Sequence, residues 1–290
     1  MRRGLLILLL ALVLGGCERL DQRGMALMVE PGYRAEILLT EQDGITSPDG
    51  LHWAGDTLYI ADEGGHALRA WKPGGPVRTL ADQSAGLASP EDVVRGQDGT
   101  LFVTDDTAGG VWEMAPGKPV GKLGEAGGFP TEGIALTPVG TLLIGDTAGH
   151  RIVEFDGDGE QRPLGGGRIA KPESFAWDAA GRLFIADNKD NVLYVRGRDG
   201  KLERRISGQA GFSPESIHFA GEDLFITDSK HGKLFRYNER EGLKVIAVFA
   251  GEMENLQGIT SDGDRNLFLS IQSDLEQGRG FVVKLSRSAS

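Results

Sequence analysis

The chain has 290 residues, a formal net charge of −11, 44 glycines and a single cysteine. An acidic chain without a basic stripe excludes nucleic acid as a partner, and one cysteine excludes an intrachain disulfide. Glycine is about twice as common as the usual ~7%, so many tight turns are expected.

The chain opens with MRRGLLILLLALVLGG, in which Arg2 and Arg3 precede an apolar run from Leu5 to Leu14. That run is too short to span a bilayer, and residues 1–16 read as a signal peptide. Leu14-Gly15-Gly16-Cys17 resembles the lipobox of bacterial lipoproteins. The resemblance implies lipidation at Cys17 and removal of the residues before it. Losing Arg2 and Arg3 takes the formal charge from −11 to −13, so the membrane tie is through the acyl chains alone. Glu18 follows the cysteine. By the sorting rule of such lipoproteins, this implies the outer membrane of a bacterial cell envelope, facing the periplasm. Residues 17–30 read as a lipid-anchored tether and residues 31–290 as one folded domain.

From there the chain repeats. A turn-plus-acid tripeptide recurs and ends in turn on Asp49, Glu91, Glu132, Glu173 and Glu215, with Gln257 in the sixth place. The spacings are 42, 41, 41, 42 and 42 residues. Two residues after each comes a large apolar residue: Leu51, Val93, Ile134, Phe175, Ile217 and Ile259. A second apolar run then ends in aspartate, as LYIAD at Leu58, LFVTD at Leu101, LLIGD at Leu142, LFIAD at Leu183 and LFITD at Leu224. Four short strands in a period of about 40 residues is the arithmetic of a propeller blade.

The length from Tyr33 to Ser290 holds six such periods. The last period runs out after its third strand, while residues 33–40 form a strand with no partner of their own. The expected fold is therefore all-β: a six-bladed propeller of four-stranded blades whose N-terminal strand completes the last blade. Closure of that kind removes two exposed sheet edges.

Strands of a blade alternate in direction, so the start of the first and the end of the second share one face. The acids Asp49, Glu91, Glu132, Glu173 and Glu215 should ring one mouth of the central channel. Like charges so placed must spread, retain protons or bind a cation. Oxygen-only donors suit a divalent cation, Ca²⁺ foremost or Mg²⁺. The second set, Asp62, Asp105, Asp146, Asp187 and Asp228, gives way to Ile271 in blade six. Aspartate there suits acceptance of backbone N–H bonds in a turn, a structural task.

His52 and His218 stand three residues after the ring acid in blades one and five. They either reach a shared ligand, with Gln257 as a further ligand-binding candidate, or fill space between blades. His66, His150 and His231 fall in outer loops of the acid-rich face, and Trp53 and Trp177 extend the inner strands as interblade core. No HExxH, three-ligand zinc spacing or GxSxG occurs.

Several units resemble known families. GDTAGHRIVEFDGDG (Gly145 to Gly159) resembles the NHL repeat. SPDGLHWAGDTLYIAD (Ser47 to Asp62) resembles the SMP-30/gluconolactonase family, and KPESFAWD (Lys171 to Asp178) resembles a stretch of strictosidine-synthase-like proteins. All three families are propellers, mostly six-bladed. The SMP-30 resemblance implies metal ligands at the starts of inner strands. Asp49 in DGLHW matches the first of these, with Asp in place of Glu. Glu173 and Glu215 hold equivalent positions but read PES, and the family's PNG asparagine has no counterpart at a strand start. No catalytic base carries over.

Two functional readings follow. In one, the acidic mouth holds a divalent metal that polarises a lactone or ester carbonyl, with Glu173 or Glu215 as general base. In the other, the propeller is a non-catalytic module that binds or scaffolds a protein, glycan or small ligand at the channel mouth. A propeller alone does not choose between them.

Overall fold

Each sequence period folds as an antiparallel four-stranded sheet. A computed structural model describes residues 28–123, 129–155, 161–164, 168–263, 266–274 and 279–287. The signal peptide, Cys17 and most of the tether lie outside the described residues. Blade one runs outward from the channel as Pro48–Ala54, Thr57–Asp62, Ala67–Trp71 and Arg78–Ala81. The inner strands of blades two to six are Pro90–Arg95, Thr131–Leu136, Pro172–Trp177, Pro214–Ala220 and Leu256–Ser261. Each inner strand packs against the next, and the sixth against the first, so the ring closes.

The closing strand is the expected one. Tyr33–Leu39 pairs antiparallel with Arg279–Arg287 as the outermost strand of blade six. Met28–Val29, which the sequence places in the tether, pairs with the outer strand of blade five and makes that sheet five-stranded. The outer strand there is long, Gly242–Val248, and leaves an edge to cover. Val29 packs on the core between blades five and six, and Glu30 N–H donates to Ile246 O at 2.8 Å.

The core is distributed. Among the described residues, six apolar clusters fill the six interblade interfaces. Trp53 of blade one stacks on Phe268 of blade six, ring centroids 4.9 Å apart and 7° from parallel. That contact seals the junction where the two ends of the chain meet, as the interblade expectation required.

Two local features aim the functional residues. First, the register between inner and second strand shifts around the ring position in every blade. A bulge frees that stretch from the ladder and re-aims its side chains. The residue after the acid is Gly50, Asp92, Gly133, Ser174, Ser216 or Gly258. A Cβ on Gly133 would overlap the Glu173 carbonyl, and one on Gly258 the Asp49 carbonyl. At these two glycines the inner strands of neighbouring blades approach too closely for any larger residue.

Second, the aspartates that end the second strands are buried clamps. Asp62 accepts N–H bonds from Thr46 (3.0 Å) and Ser47 (2.7 Å) in the turn before the inner strand. Asp105 accepts from Ala88 (2.7 Å) and Ser89 (3.1 Å), and also from Ala108 (2.7 Å) in the loop after its own strand. Asp187 accepts from Ala170 (2.6 Å), Lys171 (3.3 Å), Lys189 (3.2 Å) and Asp190 (3.0 Å). Asp228 does the same for Ser213 (2.9 Å), Lys230 (3.0 Å) and His231 (2.9 Å). In blade three Pro130 has no N–H to give, and Asp146 instead takes Gly149 N–H and Arg151 Nε, both at 2.7 Å.

Asp187→Ala would strip the acceptor from four backbone N–H groups at a buried corner. Unsatisfied donors of this kind are costly, and a loss of about 3 kcal/mol is expected, read as a lower urea midpoint. A loss below about 1 kcal/mol would show that water replaces the carboxylate.

Candidate functional site

The clamps and bulges bring the ring together as expected. Asp49, Glu91, Glu132, Glu173 and Glu215 all border one small cavity of about 20 Å³ in the channel, beside Gly50, Gly133 and Gly258. Gln257, in the sixth place, is buried and donates to Asn255 Oδ1 (3.0 Å) and Gln272 Oε1 (3.1 Å).

A second polar layer adjoins the ring, one residue after each clamp and after Ile271 in blade six: Glu63, Asp106, Thr147, Asn188, Ser229 and Gln272. Sequence reasoning passed over this register, although the repeat alignment contains it. Gln272, Asn188 and Ser229 of this layer reach ring acids directly. Gln272 Nε2 donates to Glu63 Oε2 at 2.8 Å and to Asp49 Oδ2 at 3.4 Å. Ser89 Oγ lies 3.2 Å from Glu63 Oε1 and 3.3 Å from Glu91 Oε1. Asn188 Nδ2 (2.8 Å) and Ser229 Oγ (2.5 Å) both donate to Glu215 Oε2.

The ring is electrostatically lopsided. Lys171 Nζ lies 2.7 Å from Glu173 Oε1 and 3.1 Å from Glu132 Oε1. Burial alone would lower the ammonium pKa, but the Glu173 and Glu132 carboxylates outweigh it and push it up. Among the described residues, Lys171 is the one cation that forms ion pairs with ring acids. The opposite side has no such partner. There Asp49, Glu63 and Glu91 place one carboxylate oxygen each within 4.8 Å of one another.

Burial, and then the charges of Glu215, Glu132 and Glu63, hold Asp49 well above the usual carboxylate range. Burial, and then Asp49, Glu132 and Glu63, do the same to Glu91. Glu173 is raised well above its ordinary value by burial and by Glu215 and Glu132. Glu132 is raised by burial, with Lys171 opposing, and Glu215 by burial, with Ser229 and Asn188 opposing. Such a mouth must hold protons or take up positive charge.

His52 and His218 do not join the acids. They line a separate, wider chamber of about 330 Å³ further along the channel. Three residues of strand, roughly 10 Å, separate each from the ring position. Asp92 and Ser216 border both cavities and form the septum between them. Burial holds both imidazoles down to about 4, with Arg95 acting further on His52 and His52 on His218. His218 Nε2 lies 2.8 Å from Ser261 Oγ across the blade junction. Gln257 reaches the acids only through Gln272, and the two histidines line the chamber.

The loop histidines have structural partners. His150 Nδ1 meets Ala170 O at 2.6 Å, and His66 makes the equivalent contact to Ala88 O, each tying a loop to the turn of the next blade. His231 Nδ1 lies 2.9 Å from Asp228 Oδ1.

No protein-family model matches the chain, and no curated protein matches it. Solved structures do match. A catalytically inactive virginiamycin B lyase from Staphylococcus aureus, solved with quinupristin, aligns with a TM-score of 0.67 at 16% identity, covering 88% of this chain and 99% of that one. A gluconolactonase from Xanthomonas campestris aligns at 0.69 and 15%, covering 91% and 90%. A luciferin-regenerating enzyme aligns at 0.70 and 10%, covering 89% and 98%. At these identities the likeness is one of fold, a propeller over nearly the whole chain.

The two chamber histidines make a pH prediction. Their folded-state pKa lies below the ordinary 6.5, so the unfolded chain takes up protons first as pH falls. The stability from a neutral His218 is present above pH 6.5 and drains away towards about 4. The stability difference between the wild type and His218→Gln should shift steadily against the wild type across that window. A difference that stays constant from pH 6.5 to 4 would contradict a neutral imidazole.

Proposed function

We propose that the protein is a divalent-cation-dependent hydrolase of lactones or esters, working at the acidic mouth of the channel. One observation carries this reading: three carboxylates, Asp49, Glu63 and Glu91, converge with no cation among the described residues to neutralise them. The donor set is all oxygen, as a hard cation such as Ca²⁺ requires. The cavity of about 20 Å³ that Asp49 and Glu91 border matches one ion or one water and admits no organic substrate. A substrate would therefore stand at the mouth, outside the acids. A cation bound there supplies Lewis acidity towards a carbonyl oxygen and towards water.

The remaining acids divide the other tasks. Glu173 is committed to Lys171. Glu215 is held through Oε2 alone, by Asn188 and Ser229, which leaves Oε1 to accept a proton from water. Its raised pKa brings it nearer to neutrality, where a general base works best. The Lys171 ammonium, partly exposed at the mouth, offers positive charge to the oxygen that an opening lactone releases. The resemblance of DGLHW around Asp49 to the SMP-30/gluconolactonase family supports the same substrate class. In this reading Cys17 carries the acyl chains, and the propeller faces the periplasm from the outer membrane.

Three measurements test the reading. Added Ca²⁺ should raise the melting temperature of the wild type by mass action, and Glu63→Gln with Glu91→Gln should lose that response. Glu215→Gln should keep the response yet lose about 100-fold or more of hydrolysis in a lactone and ester screen. An unchanged Ca²⁺ response in the double variant would remove Asp49–Glu63–Glu91 as the site. A wild type inactive on every lactone and ester in Ca²⁺ would remove the hydrolase. Cys17→Ser should leave the membrane fraction, and retention after a salt wash would place the anchor elsewhere.

A further inference from the structure

The hydrolase reading uses one end of the channel and leaves the wider chamber idle. That chamber, about 330 Å³, falls within the size range of small-molecule sites. About half of its wall is apolar, with Val93, Val94, Ile134 and Phe175 along the inner strands and Trp177 and Phe219 near their ends. Polar groups break that pattern: Arg95, His52 and His218, the hydroxyl residues Ser174, Ser216 and Thr260, and Asp92 at the septum.

Arg95 ends the inner strand of blade two and lines the chamber, its guanidinium close over the Gly99 turn. Its charge is felt by His52 and by Asp98, but no ion pair or hydrogen bond to another described residue engages it. A guanidinium without a fixed partner, in a chain of charge −11, stands out. Its planar fork of donors matches a carboxylate. The imidazoles of His52 and His218 are half-buried on the walls of blades one and five, with blade six between them, and each neutral ring carries one N–H that can donate. Asp92 stands at the far end, at the septum, three residues or roughly 10 Å of strand from Arg95. An anion is therefore drawn to the Arg95 end, and the apolar part of the molecule meets the aromatic and aliphatic wall.

We infer that the wide chamber is a second ligand site, specific for small monocarboxylates with an apolar or aromatic body, separate from the acidic mouth. The site rests on the cavity, the unpaired Arg95 and the wall chemistry, and it stands whether or not the mouth hydrolyses anything.

Phenylacetate is a suitable probe, with phenylacetamide as its uncharged match. Titrations of the purified full chain, followed by intrinsic tryptophan fluorescence and by calorimetry, should show saturable phenylacetate binding. The acid should bind about tenfold or more tightly than the amide, the difference a charge-assisted contact makes. Binding should persist in EDTA, which separates it from any carboxylate bound to a cation at the mouth. Arg95→Gln should bring acid and amide to the same affinity. His52→Phe should fill the chamber and weaken both. Absence of saturable binding by the wild type, equal affinity for acid and amide, or loss of binding in EDTA would each overturn the proposal. None of those three outcomes depends on a variant that folds.

Discussion

Five buried aspartates, Asp62, Asp105, Asp146, Asp187 and Asp228, hold the acid-rich face of the disc together. Each carboxylate takes the backbone N–H groups of a corner that strand pairing cannot satisfy. In four blades the inner strand starts at a proline, Pro48, Pro90, Pro172 or Pro214, which has no N–H of its own and directly faces the clamp aspartate. The carboxylate therefore fixes where the inner strand begins. The bulge follows, and the bulge decides that the next side chain points into the channel. A buried charge is tolerable here because its oxygens are occupied by fixed donors. Without the clamps the ring acids would have no common plane.

Blade six departs from this pattern, and the departure shapes the site. Ile271 replaces the clamp, while Gln272 N–H bonds Asn255 O at 3.1 Å just as Asp106 N–H bonds Ser89 O and Thr147 N–H bonds Pro130 O. The Gln272 side chain bridges Gln257 on one side and Glu63 and Asp49 on the other. Blade four departs differently, with Lys171 where blades one, two and five carry Ser47, Ser89 and Ser213. One half of the mouth is thereby neutralised from within, and the other half is left to an outside cation. In the proposed reading, that asymmetry gives one ion a preferred seat within a repeated motif.

Much of the fold was legible in the sequence because a period near 42 residues states the same instruction six times. The clamp role of the aspartates, the closing strand at Tyr33 and the interblade place of Trp53 all followed from position within the repeat. The site was less legible, for two physical reasons. Glu63 and Gln272 stand 209 residues apart, and they meet only because the ring closes. Lys171 is a single substitution at a turn position, and its ion pairs with Glu132 and Glu173 depend on how far neighbouring blades approach each other. Spacing along a strand does not reveal that His52 and His218 line a chamber apart from the acids. Asp92 and Ser216, with glycine at three of the equivalent positions, divide the channel at a layer that sequence alone does not mark.

The division of the mouth into a neutralised half and a cation-seeking half can be seen directly. Crystals of the protein grown with Mn²⁺ and measured at the manganese absorption edge would locate the ion by anomalous scattering. One peak bounded by Asp49, Glu63 and Glu91 is the predicted result. A peak beside Glu173 and Glu215, or no peak in the channel, would contradict it.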